Sequence, residues 1–490
     1  MTPKEEAGMT AAGSWDLIIV GAGTTGMPCA IAAAEAGARV CVLEKDSEIG
    51  GTLHLSAGQM SGAGSRRQIE KQIDDSPDAH FDEVMQLGHR KNDPVLVRLA
   101  VDEAPVTLDW LDDLGFPFPD DMPIVYYGHE PYSKARTSWG AEMGVSILKT
   151  IKPVFEQAVA DGNVELFLDH RLVGFTVEAG AVTGVRAHSP RGSVEFRASA
   201  TVLATGGYAS SPQLWAELHP GMDCLLGARH TSTGDGLLAA REIGAAMRGA
   251  DLFLPTHGCI PDAGEEGRTD VWEAFGNLIP QYRPPREIVV NVRGERFQAE
   301  DEPSADARER ALVEQGGRAW IVLDEAAIDD ESPVVVGWSA DMLRAEATRA
   351  RRAWRADSLA ELARAAGIDA ARLERTVQVY NAAVRSGNDP VGRTQFGAEL
   401  TTVPYYAIAM VAGTVVGFAG LTVDGQLRVL DEGGRPIANL YAAGEVLGCG
   451  ALMGNSYAGG MSVTPALSFG RLLGRRLAAA HREGEAALAR

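Results

Sequence analysis

The chain opens with a short apolar run that is followed by glycines and then by an alanine-rich segment. The run covers residues 16–20, the glycines lie within 21–26, and the alanine-rich segment extends to residue 36. A second apolar run at 39–44 ends in Glu44, about 20 residues after the glycines. Short apolar runs bounded by turn residues are typical of buried strands. The pattern therefore predicts a strand, a helix and a second, parallel strand.

Further apolar segments predict more strands in the first half of the chain. Residues 164–167, 172–177, 181–187 and 194–198 alternate or run apolar between glycines and polar turns, which predicts a small antiparallel insertion. Residues 200–204 then predict one more strand.

A helical pattern replaces the strand pattern between about residues 340 and 385. Apolar residues recur at helical spacing over 359–366, Gly367 ends that helix, and a second helix is predicted over 370–384.

Irregular and mixed segments flank these helices. The proline-rich stretch 254–285 predicts loops over a site. Residues 405–476 predict a strand, a hairpin, another strand and a terminal helix that begins at about Pro465.

The composition is that of an ordinary folded protein with an excess of glycine. Apolar residues make up 45% of the 490 residues and charged residues 23%, which excludes a disordered or a fibrous chain. The 56 glycines predict close backbone approaches, as in proteins that bind a nucleotide with their backbone. The five cysteines lack CxxC spacing, so neither a disulfide framework nor a metal site is predicted.

The charge and the hydropathy exclude two kinds of partner. The chain has 45 Lys and Arg against 66 Asp and Glu, a net charge of −21, so no nucleic-acid partner is expected. No apolar run reaches the roughly 18 residues that cross a bilayer, and the N-terminus lacks the apolar centre of a signal peptide. We expect a cytoplasmic protein without a membrane span.

The glycines of the opening unit form a GxGxxG motif that follows a predicted strand, begins a predicted helix and precedes Glu44. Gly21 allows the turn after the strand, Gly23 lets backbone amides approach a pyrophosphate, and Gly26 permits close helix packing. The helix N-terminus adds a favourable dipole for phosphate. Glu44 is placed to accept hydrogen bonds from ribose hydroxyls. The motif predicts a dinucleotide site and leaves NAD and FAD open.

Three other glycine-bearing segments point to FAD. They are Gly50–Thr52, Ala204–Gly207 after a strand, and Tyr441–Glu445 after another strand, and they can converge on one extended ligand. With these motifs the chain resembles the succinate dehydrogenase/fumarate reductase flavoprotein superfamily, in which such stretches bind FAD. The resemblance spans nearly the whole chain and includes Ser232–Gly236 and Asn291–Phe297.

The resemblance implies an α/β fold with two domains. An FAD-binding Rossmann-like domain of the glutathione reductase type covers 14–249 and 405–485, an α+β substrate-capping domain is inserted at 250–404, and 1–13 is a flexible N-terminus. It also implies hydride exchange with flavin N5. The implied cofactor-binding residues are Gly21, Ala22, Gly23, Thr24, Thr25, Gly26, Glu44, Lys45, Gly50, Gly51, Thr52, Ala57, Gly58, Val173, Ala204, Thr205, Gly206, Asp235, Gly444, Glu445, Ser462 and Val463.

The position of a histidine predicts how the FAD is held. In respiratory members of the superfamily, a histidine near the position of Leu53 carries the flavin covalently, whereas this chain has His54. A shift of one residue on an extended segment turns the side chain away. We therefore expect non-covalent FAD.

Substrate-side positions separate the branches of the superfamily. Fumarate reductases carry an arginine acid where this chain has Ser304, paired histidines where it has Val415–Val416, and an arginine where it has Ser456–Tyr457. Only His257 matches a carboxylate-binding histidine. Buried carboxylates without cations are costly, so these losses argue against dicarboxylate reduction.

The C-terminal run Gly454–Ala466, with Phe469–Gly470, resembles instead the 3-ketosteroid Δ1-dehydrogenases and related ketone desaturases. That resemblance implies that the Tyr457 hydroxyl and a glycine amide, at Gly460, bind the substrate carbonyl. Such donors stabilise the negative charge that builds on oxygen when a neighbouring proton is removed. The alternative is that Tyr457 packs in the core with its hydroxyl held by backbone.

The proton acceptor is not identified by the resemblance. The tyrosine base of the steroid enzymes falls on Ser304, and a serine hydroxyl is a poor base unaided. Other candidates lie in a polar-aromatic loop, residues 126–132, and at two positions in the proline-rich stretch 254–285. The loop itself can instead be a lid. They are Tyr126, Tyr127, His129 and Tyr132 in the loop, which precedes Arg136, and His257 and Tyr282 outside it.

Three functions compete. The first is an FAD-dependent dehydrogenase that introduces a C=C bond next to the carbonyl of a cyclic ketone, with a small-molecule ketone as substrate and an unknown electron acceptor. The second is a fumarate reductase-like enoate or enone reductase, with Arg136 or Arg283 as replacement clamp. The third is a flavin-binding sensor without turnover.

Overall fold

Two mixed β-sheets organise the chain, of which the computed structural model describes residues 10–221, 224–270 and 275–488. The strands are β1 (Thr10–Val20), β2 (Val40–Leu43), β3 (Met60–Ser61), β4 (Thr137–Ser138), β5 (Val164–Phe167), β6 (Arg171–Glu178), β7 (Ala181–Ser189), β8 (Gly192–Leu203), β9 (Leu225–Leu226), β10 (Met247–Arg248), β11 (Thr256–Pro261), β12 (Thr269–Asp270), β13 (Ile288–Val290), β14 (Arg318–Asp324), β15 (Ala353–Ala356), β16 (Tyr405–Thr414), β17 (Gly420–Leu421), β18 (Arg428–Leu430) and β19 (Pro436–Ala442).

Helices cover the faces of these sheets. The α-helices are α1 (Gly26–Glu35), α2 (Arg66–Glu70), α3 (Pro77–Leu87), α4 (Pro94–Asp113), α5 (Gly144–Ala160), α6 (Pro212–Leu218), α7 (Asp235–Glu242), α8 (Ala305–Glu314), α9 (Ala340–Arg349), α10 (Leu359–Ala366), α11 (Ala370–Ser386), α12 (Gly450–Met453) and α13 (Val463–Leu488). Short 3₁₀ turns occur at Gly51–His54, Phe275–Leu278, Glu325–Ala327 and Glu445–Leu447.

The first sheet has the strand order β18-β19-β7-β8-β1-β2-β5, with β6 paired to β7. Strands β2 and β8 flank β1 in parallel, and β5 is parallel to β2. Ile18, Ile19 and Val42 in these strands are fully buried, as in a parallel sheet covered on both faces. The sequence prediction of a strand–helix–strand opening is thus confirmed.

Close helix packing supports this sheet. Helix α13 lies against α1, and a Cβ on Gly470 or Gly474 would overlap the α1 backbone at Thr25 or Cys29. The two glycines therefore let the terminal helix approach α1 closely.

The antiparallel insertion is smaller than the sequence predicts. Strand β5 pairs in parallel with β2, so only β6, β7 and β8 run antiparallel to one another. The two predicted strands at 194–198 and 200–204 form a single strand, β8, because no glycine or proline interrupts the chain between them.

The second sheet has the order β12-β11-β16-β14-β13, with β15 and β9 also paired to β16. Its core includes Ile321, Ile408 and Met410 on one face and Leu373 and Tyr380 of α11 on the other. Strand β16 is the central strand, so this sheet extends ten residues past the boundary predicted at residue 404.

The N-terminal boundary also differs from the prediction. Strand β1 begins at Thr10, and Thr10 and Gly13 pair with Val194 and Phe196 of β8. Residues 10–13, which the sequence places in a flexible segment, therefore belong to the first sheet. Residues 1–9 of that segment lie outside the described residues. Within the described ranges no helix is long and apolar enough to cross a membrane.

Candidate active site

A deep cleft lies at the carboxyl ends of the central strands of the first sheet. Val20, Leu43 and Ala204, at the ends of β1, β2 and β8, form its floor. Its empty volume, taken to the open mouth, is about 1770 Å³. The cleft therefore lies where ligands bind in open α/β sheets, outside the carboxyl ends of the strands.

The cleft wall brings together most of the residues that the sequence assigns to the cofactor. Those on the wall are Gly21, Gly23, Thr24, Thr25, Glu44, Lys45, Gly51, Thr52, Ala57, Gly58, Ala204, Thr205, Gly206, Asp235, Glu445, Ser462 and Val463. They come from segments separated by more than 400 residues in the chain, since Gly21 and Val463 face the same space.

The three glycines of the opening motif have different surroundings. A Cβ on Gly21 would overlap the Ala204 carbonyl oxygen, and one on Gly26 would overlap the Gly21 carbonyl oxygen. The nearest heavy atom to a Cβ on Gly23 is 3.7 Å away, on Gly51. Protein packing thus excludes side chains at Gly21 and Gly26, whereas the space beside Gly23 is open for a ligand that approaches the backbone.

A polar cluster closes the cleft at the end of β2. The Glu44 carboxylate accepts hydrogen bonds from the Ala22 amide at 2.8 Å and the Asp46 amide at 2.9 Å, while burial raises the pKa of Glu44. The Lys45 ammonium lies 2.8 Å from an Asp235 carboxylate oxygen. These bonds hold Glu44 beside the glycine turn, where a ribose would lie.

Two polar groups on the wall fit a bound ligand. The Thr205 hydroxyl is buried and has no hydrogen-bond partner among the described residues. Glu445 accepts a hydrogen bond from the Gly417 amide at 3.0 Å, and desolvation raises its pKa to about 7. Buried polar groups are rarely left unpaired, so a polar ligand in the cleft accounts for the Thr205 hydroxyl.

The N-terminus of α13 points into the same cleft. Ser462, Val463 and Ala466 line the wall, and the helix is 26 residues long. The first amides of a helix have no partner within the helix and carry the positive end of its dipole. This end of the cleft therefore favours negative charge on a ligand.

Five predicted cofactor residues do not line the cleft. The Ala22, Gly26, Gly50 and Gly444 positions pack against neighbouring protein atoms behind the wall. The Val173 side chain is 44% exposed, and Leu172, 4% exposed, faces the cleft in its place. Successive residues of a strand point to opposite faces, so Val173 of β6 is turned away.

Tyr457 and Gly460 lie on the cleft wall. The Tyr457 ring is 7% exposed, stacks on His129 with ring centroids 5.0 Å apart and contacts the edge of Phe418 at 5.5 Å. The Tyr457 hydroxyl makes no hydrogen bond of ordinary geometry with the described residues, although the Thr256 and Thr414 hydroxyls are close. Backbone therefore does not hold this hydroxyl.

Ser304 and His257 lie outside the cleft, contrary to the prediction. Ser304 caps α8, accepting a hydrogen bond from the Ala307 amide at 3.1 Å and donating one to Glu130 at 3.0 Å. The His257 ring faces a separate buried polar cavity, 3.2 Å from the Gln298 amide nitrogen, and burial lowers its pKa to about 3. Neither side chain reaches the space beside Tyr457.

Tyr132 and Arg136 are also buried away from the cleft. The Tyr132 hydroxyl donates to the Gly459 carbonyl at 2.8 Å. The Arg136 guanidinium is 1% exposed, contacts both oxygens of Asp75 at 2.6 Å and pairs with Glu83. Arg136 is thus already neutralised by two carboxylates and is not a substrate clamp.

Arg283, the other arginine predicted as a carboxylate clamp, and Tyr282 also make their contacts outside the cleft. The Arg283 guanidinium is buried against Glu287, with nitrogen–oxygen distances of 3.0 and 2.6 Å. Tyr282 is half exposed and accepts a hydrogen bond from the Tyr127 amide at 3.2 Å. Among the predicted proton acceptors, the cleft wall contains His129.

Sequence reasoning missed several residues of the wall. His170, Arg229 and Thr256 line the cleft. Arg229 pairs with Asp46 and Glu48, both at 2.7 Å, which places it at the Glu44 end. The stretch 254–285 is predicted to form loops, whereas Thr256 lies next to His257 on β11, where successive side chains point to opposite faces.

Comparison with known proteins identifies the family. The family described as FAD binding domain matches residues 16–463. The chain belongs to this family. Its cofactor is FAD, and the protein is an FAD-dependent oxidoreductase of the succinate dehydrogenase/fumarate reductase flavoprotein superfamily.

Individual members of the family show how far the similarity extends. A probable fumarate reductase of Shewanella frigidimarina (strain NCIMB 400) is 30% identical over 468 residues, which are 94% of this chain and 74% of that protein. A flavocytochrome c3 fumarate reductase structure in the open conformation has a TM-score of 0.76 at 27% identity and covers 98% of this chain and 80% of its own.

A steroid enzyme shares the fold as closely. The structure of the 3-ketosteroid Δ1-dehydrogenase from Sterolibacterium denitrificans has a TM-score of 0.77 at 21% identity, covering 95% of this chain and all of its own. At that identity the likeness concerns the fold alone.

Among the described residues of this FAD-binding chain, no group of three or more His, Cys, Asp or Glu is arranged to hold a metal.

Acid precipitation should release all of the FAD into the supernatant. The His54 ring lies 3.0 Å from the Ile49 carbonyl oxygen and is not on the cleft wall, so no histidine of this segment is directed at the flavin space. Absorbance of pellet and supernatant measures the partition. Yellow colour retained on the pellet after extensive washing would contradict a non-covalent site.

Proposed function

We propose that the protein is an FAD-dependent dehydrogenase that introduces a C=C bond next to the carbonyl of a cyclic ketone. The observation that carries this proposal is the Tyr457 hydroxyl, which is buried at the cleft wall and has no hydrogen-bond partner among the described residues. Burial raises the pKa of Tyr457 well above its usual value, so the hydroxyl stays a neutral donor. A neutral donor suits a carbonyl oxygen.

The charges of the cleft support a neutral substrate. Among the described residues, the lysine and arginine side chains on the cleft wall are Lys45 and Arg229. Both pair with carboxylates near Glu44. Beside Tyr457 the wall contains the apolar residues Val415 and Val416. A dicarboxylate would lie there without cations, which is costly, whereas an apolar ring gains about 25 cal/mol per Å² buried.

The residues of the wall have separate roles in the proposed reaction. The glycine-bearing segments of the wall would hold FAD, which would supply the acceptor for the hydride from the carbon beta to the carbonyl. Tyr457 and the Gly460 backbone bind the carbonyl oxygen and stabilise the negative charge that develops when the alpha proton leaves. The N-terminus of α13 favours negative charge at the flavin end of the cleft.

His129 is the proposed acceptor of the alpha proton. It lines the cleft, and its ring stacks on that of Tyr457. Burial lowers the pKa of His129 to about 4, so its imidazole is neutral at pH 7, the form of histidine that can accept a proton. The stacking keeps the imidazole next to the ring that carries the oxygen-binding hydroxyl, and a base for this reaction must lie near the substrate carbonyl.

The second candidate function is an enoate reductase. The 30% identity to a probable fumarate reductase over 94% of the chain favours it. The positions of Arg136, Arg283 and His257 oppose it, because each is buried outside the cleft.

The two functions predict opposite results with the same enzyme. A saturated cyclic ketone should bleach the flavin absorbance of the oxidised enzyme under anaerobic conditions, and fumarate should leave chemically reduced enzyme unchanged. A panel of cyclic ketones of increasing size, each followed by flavin absorbance, makes the measurement. Rapid reoxidation by fumarate with no bleaching by any ketone would establish the reductase instead.

A further inference from the structure

Glu130 directly follows His129 in the polar-aromatic loop and is not used by the mechanism above. Its carboxylate Oε2 accepts a hydrogen bond from the Ser304 hydroxyl at 3.0 Å and another from the Asp306 backbone amide at 3.2 Å. Both donors lie at the N-terminus of α8, which Ser304 caps. The loop is therefore joined to α8 at the residue next to the proposed proton acceptor.

The N-terminus of α8 is a favourable partner for this carboxylate. The first amides of a helix have no acceptor within the helix, and they carry the positive end of its dipole. Ser304 accepts a hydrogen bond from the Ala307 amide at 3.1 Å, and Glu130 accepts one from the Asp306 amide. The two residues thus cap α8 together, and the helix stabilises a negative charge at position 130.

Helix α8 is a fixed support for the loop. It packs against β11, β14 and β16 of the second sheet, and its Leu312 is fully buried in the core of that sheet. Strand β11 in turn carries Thr256 on the cleft wall. A contact with the N-terminus of α8 therefore positions the loop relative to the cleft.

On its other side the loop contacts the segment 457–459. The His129 ring stacks on the Tyr457 ring with centroids 5.0 Å apart. The Glu130 backbone pairs with that of residue 458, and the Tyr132 hydroxyl donates to the carbonyl of residue 459 at 2.8 Å. Since Glu130 lies between these contacts, its side chain joins all of them to α8.

We propose that Glu130 is a positioning residue that holds His129 where it takes the alpha proton. The two hydrogen bonds of Oε2 attach the loop to α8, and the attached loop keeps the imidazole beside the Tyr457 ring. A displacement of about 1 Å in a reacting group can lower a rate about a hundredfold, so this attachment should matter for catalysis. The proposal rests on the proposed function, which assigns the alpha proton to His129.

Both hydrogen bonds end on one oxygen, which allows a test by substitution. Glutamine can place its amide oxygen where Oε2 lies, so Glu130→Gln can accept both bonds, whereas Glu130→Ala accepts neither. Glu302→Ala is the matched control. The Glu302 carboxylate accepts a hydrogen bond from the Ser304 amide at 3.0 Å, and among the described residues it forms no hydrogen bond or ion pair with the loop.

Hydrogen exchange of the FAD-loaded enzyme, followed by mass spectrometry without substrate, tests the contact itself. In Glu130→Ala the amides of residues 126–132 should exchange about tenfold faster than in the wild type, because the loop loses its attachment to α8. Glu130→Gln and Glu302→Ala should keep the wild-type exchange in the loop. Wild-type exchange of the loop in Glu130→Ala would overturn the proposal.

Anaerobic stopped-flow reduction of the flavin over a range of ketone concentrations tests the role, with rates taken per bound flavin. The limiting rate of Glu130→Ala should fall about tenfold. The half-saturating ketone concentration should stay within about threefold, because Tyr457 and Gly460 still bind the carbonyl. Glu130→Gln and Glu302→Ala should keep limiting rates within about threefold of the wild-type rate.

Three kinetic results would overturn the role. One is a wild-type limiting rate in Glu130→Ala. Another is a Glu130→Gln rate as low as that of Glu130→Ala, because the hydrogen bonds of Oε2 would then not be its basis. The third is a half-saturating concentration that rises more than the limiting rate falls, which would assign Glu130 to substrate binding.

A pair of variants on the helix side tests the same contact if Glu130→Ala does not fold. Aspartate and threonine both cap helices well, so each preserves the N-terminus of α8. Ser304→Thr keeps the hydroxyl donor, whereas Ser304→Asp removes it and places a negative charge against Glu130. Ser304→Asp should therefore lower the limiting rate about tenfold and accelerate loop exchange, and Ser304→Thr should do neither. Equal limiting rates in the two variants would overturn the proposal.

The two measurements separate this proposal from the proposed function. If no ketone bleaches the wild-type flavin, the proposed function fails, and hydrogen exchange still shows whether Glu130 attaches the loop to α8. If ketones bleach the wild-type flavin and Glu130→Ala reacts at the same rate, the proposed function stands and the role of Glu130 fails.

Discussion

Tyr457→Phe should keep its FAD and lose about a hundredfold in the rate of flavin reduction by a ketone. The substitution removes one hydroxyl donor from the oxygen-binding end of the cleft and leaves the ring. The ring contacts with His129 and Phe418 that hold Tyr457 in place do not involve the hydroxyl. Since that hydroxyl makes no hydrogen bond of ordinary geometry with any residue that the structure describes, its removal leaves no such partner unpaired. The loss should therefore appear in catalysis and not in stability.

Anaerobic stopped-flow absorbance gives the rate of flavin reduction, and the released flavin gives the FAD content. Tyr380→Phe is the matched control, because Tyr380 is also buried but donates to the Ala398 carbonyl outside the cleft. The control should reduce its flavin at a rate close to the wild-type rate. A Tyr457→Phe rate equal to the wild-type rate, with FAD bound, would remove Tyr457 from the oxygen-binding role.

The cofactor half of the site is predictable from sequence because it depends on local backbone geometry. A glycine turn between a strand and a helix determines its own conformation within six residues, and Gly21, Gly23 and Gly26 lie where the motif predicts. The glycine-bearing strand ends converge for a topological reason. The carboxyl ends of parallel strands meet at one edge of the sheet, so the segments after β1, β2 and β8 share one cleft.

The substrate half depends on which of two neighbouring residues faces the cleft. On β11 the side chain of Thr256 lines the cleft and that of His257 lines the cavity behind it. On β6 the same alternation exposes Val173 and turns Leu172 inward. A motif match shows where a segment lies but not which of its side chains point into the cleft. A shift of one residue exchanges the two faces of a strand.

The packing of one element against another that is distant in sequence is also not predictable from these sequence patterns. The segment 305–314 carries five charged residues in ten, a composition that predicts an exposed helix. In the structure α8 packs against β11 and β16, and its Glu309 and Arg308 become buried. Ser304 becomes the cap of this helix, which explains why a residue aligned with catalytic positions in relatives has a structural role here.

Arg136→Met should lower the free energy of unfolding by about 3–5 kcal/mol. The Arg136 side chain and that of Asp75 are both fully buried, and Arg136 also pairs with Glu83. The substitution leaves the buried Asp75 carboxylate without a cation and removes the partner of Glu83, whose side chain is 24% exposed. Removal of one partner of a buried pair costs more than the pair contributed, because the remaining charge is not solvated.

Denaturant unfolding followed by flavin release and tryptophan fluorescence measures the change. Arg197→Met is the control, since Arg197 is 42% exposed and pairs with Glu178 and Glu195 at the surface. That variant should lose no more than about 1 kcal/mol. Replacing Asp75 and Glu83 by leucine and methionine in the Arg136→Met background should recover part of the loss, because no charge then remains buried.

The pH dependence of this loss separates ion pairing from packing. Burial alone would raise the pKa of Asp75, but hydrogen bonds from Arg136 and Gln68 outweigh it and hold that pKa below its ordinary value. A lowered carboxyl pKa contributes stability above the ordinary value, and the contribution is lost as pH falls through the lowered one. The gap in unfolding free energy between wild type and Arg136→Met should therefore narrow in acid. A gap that stays constant with pH would assign the loss to packing, and a raised KM for the ketone in the folded variant would return Arg136 to the substrate site.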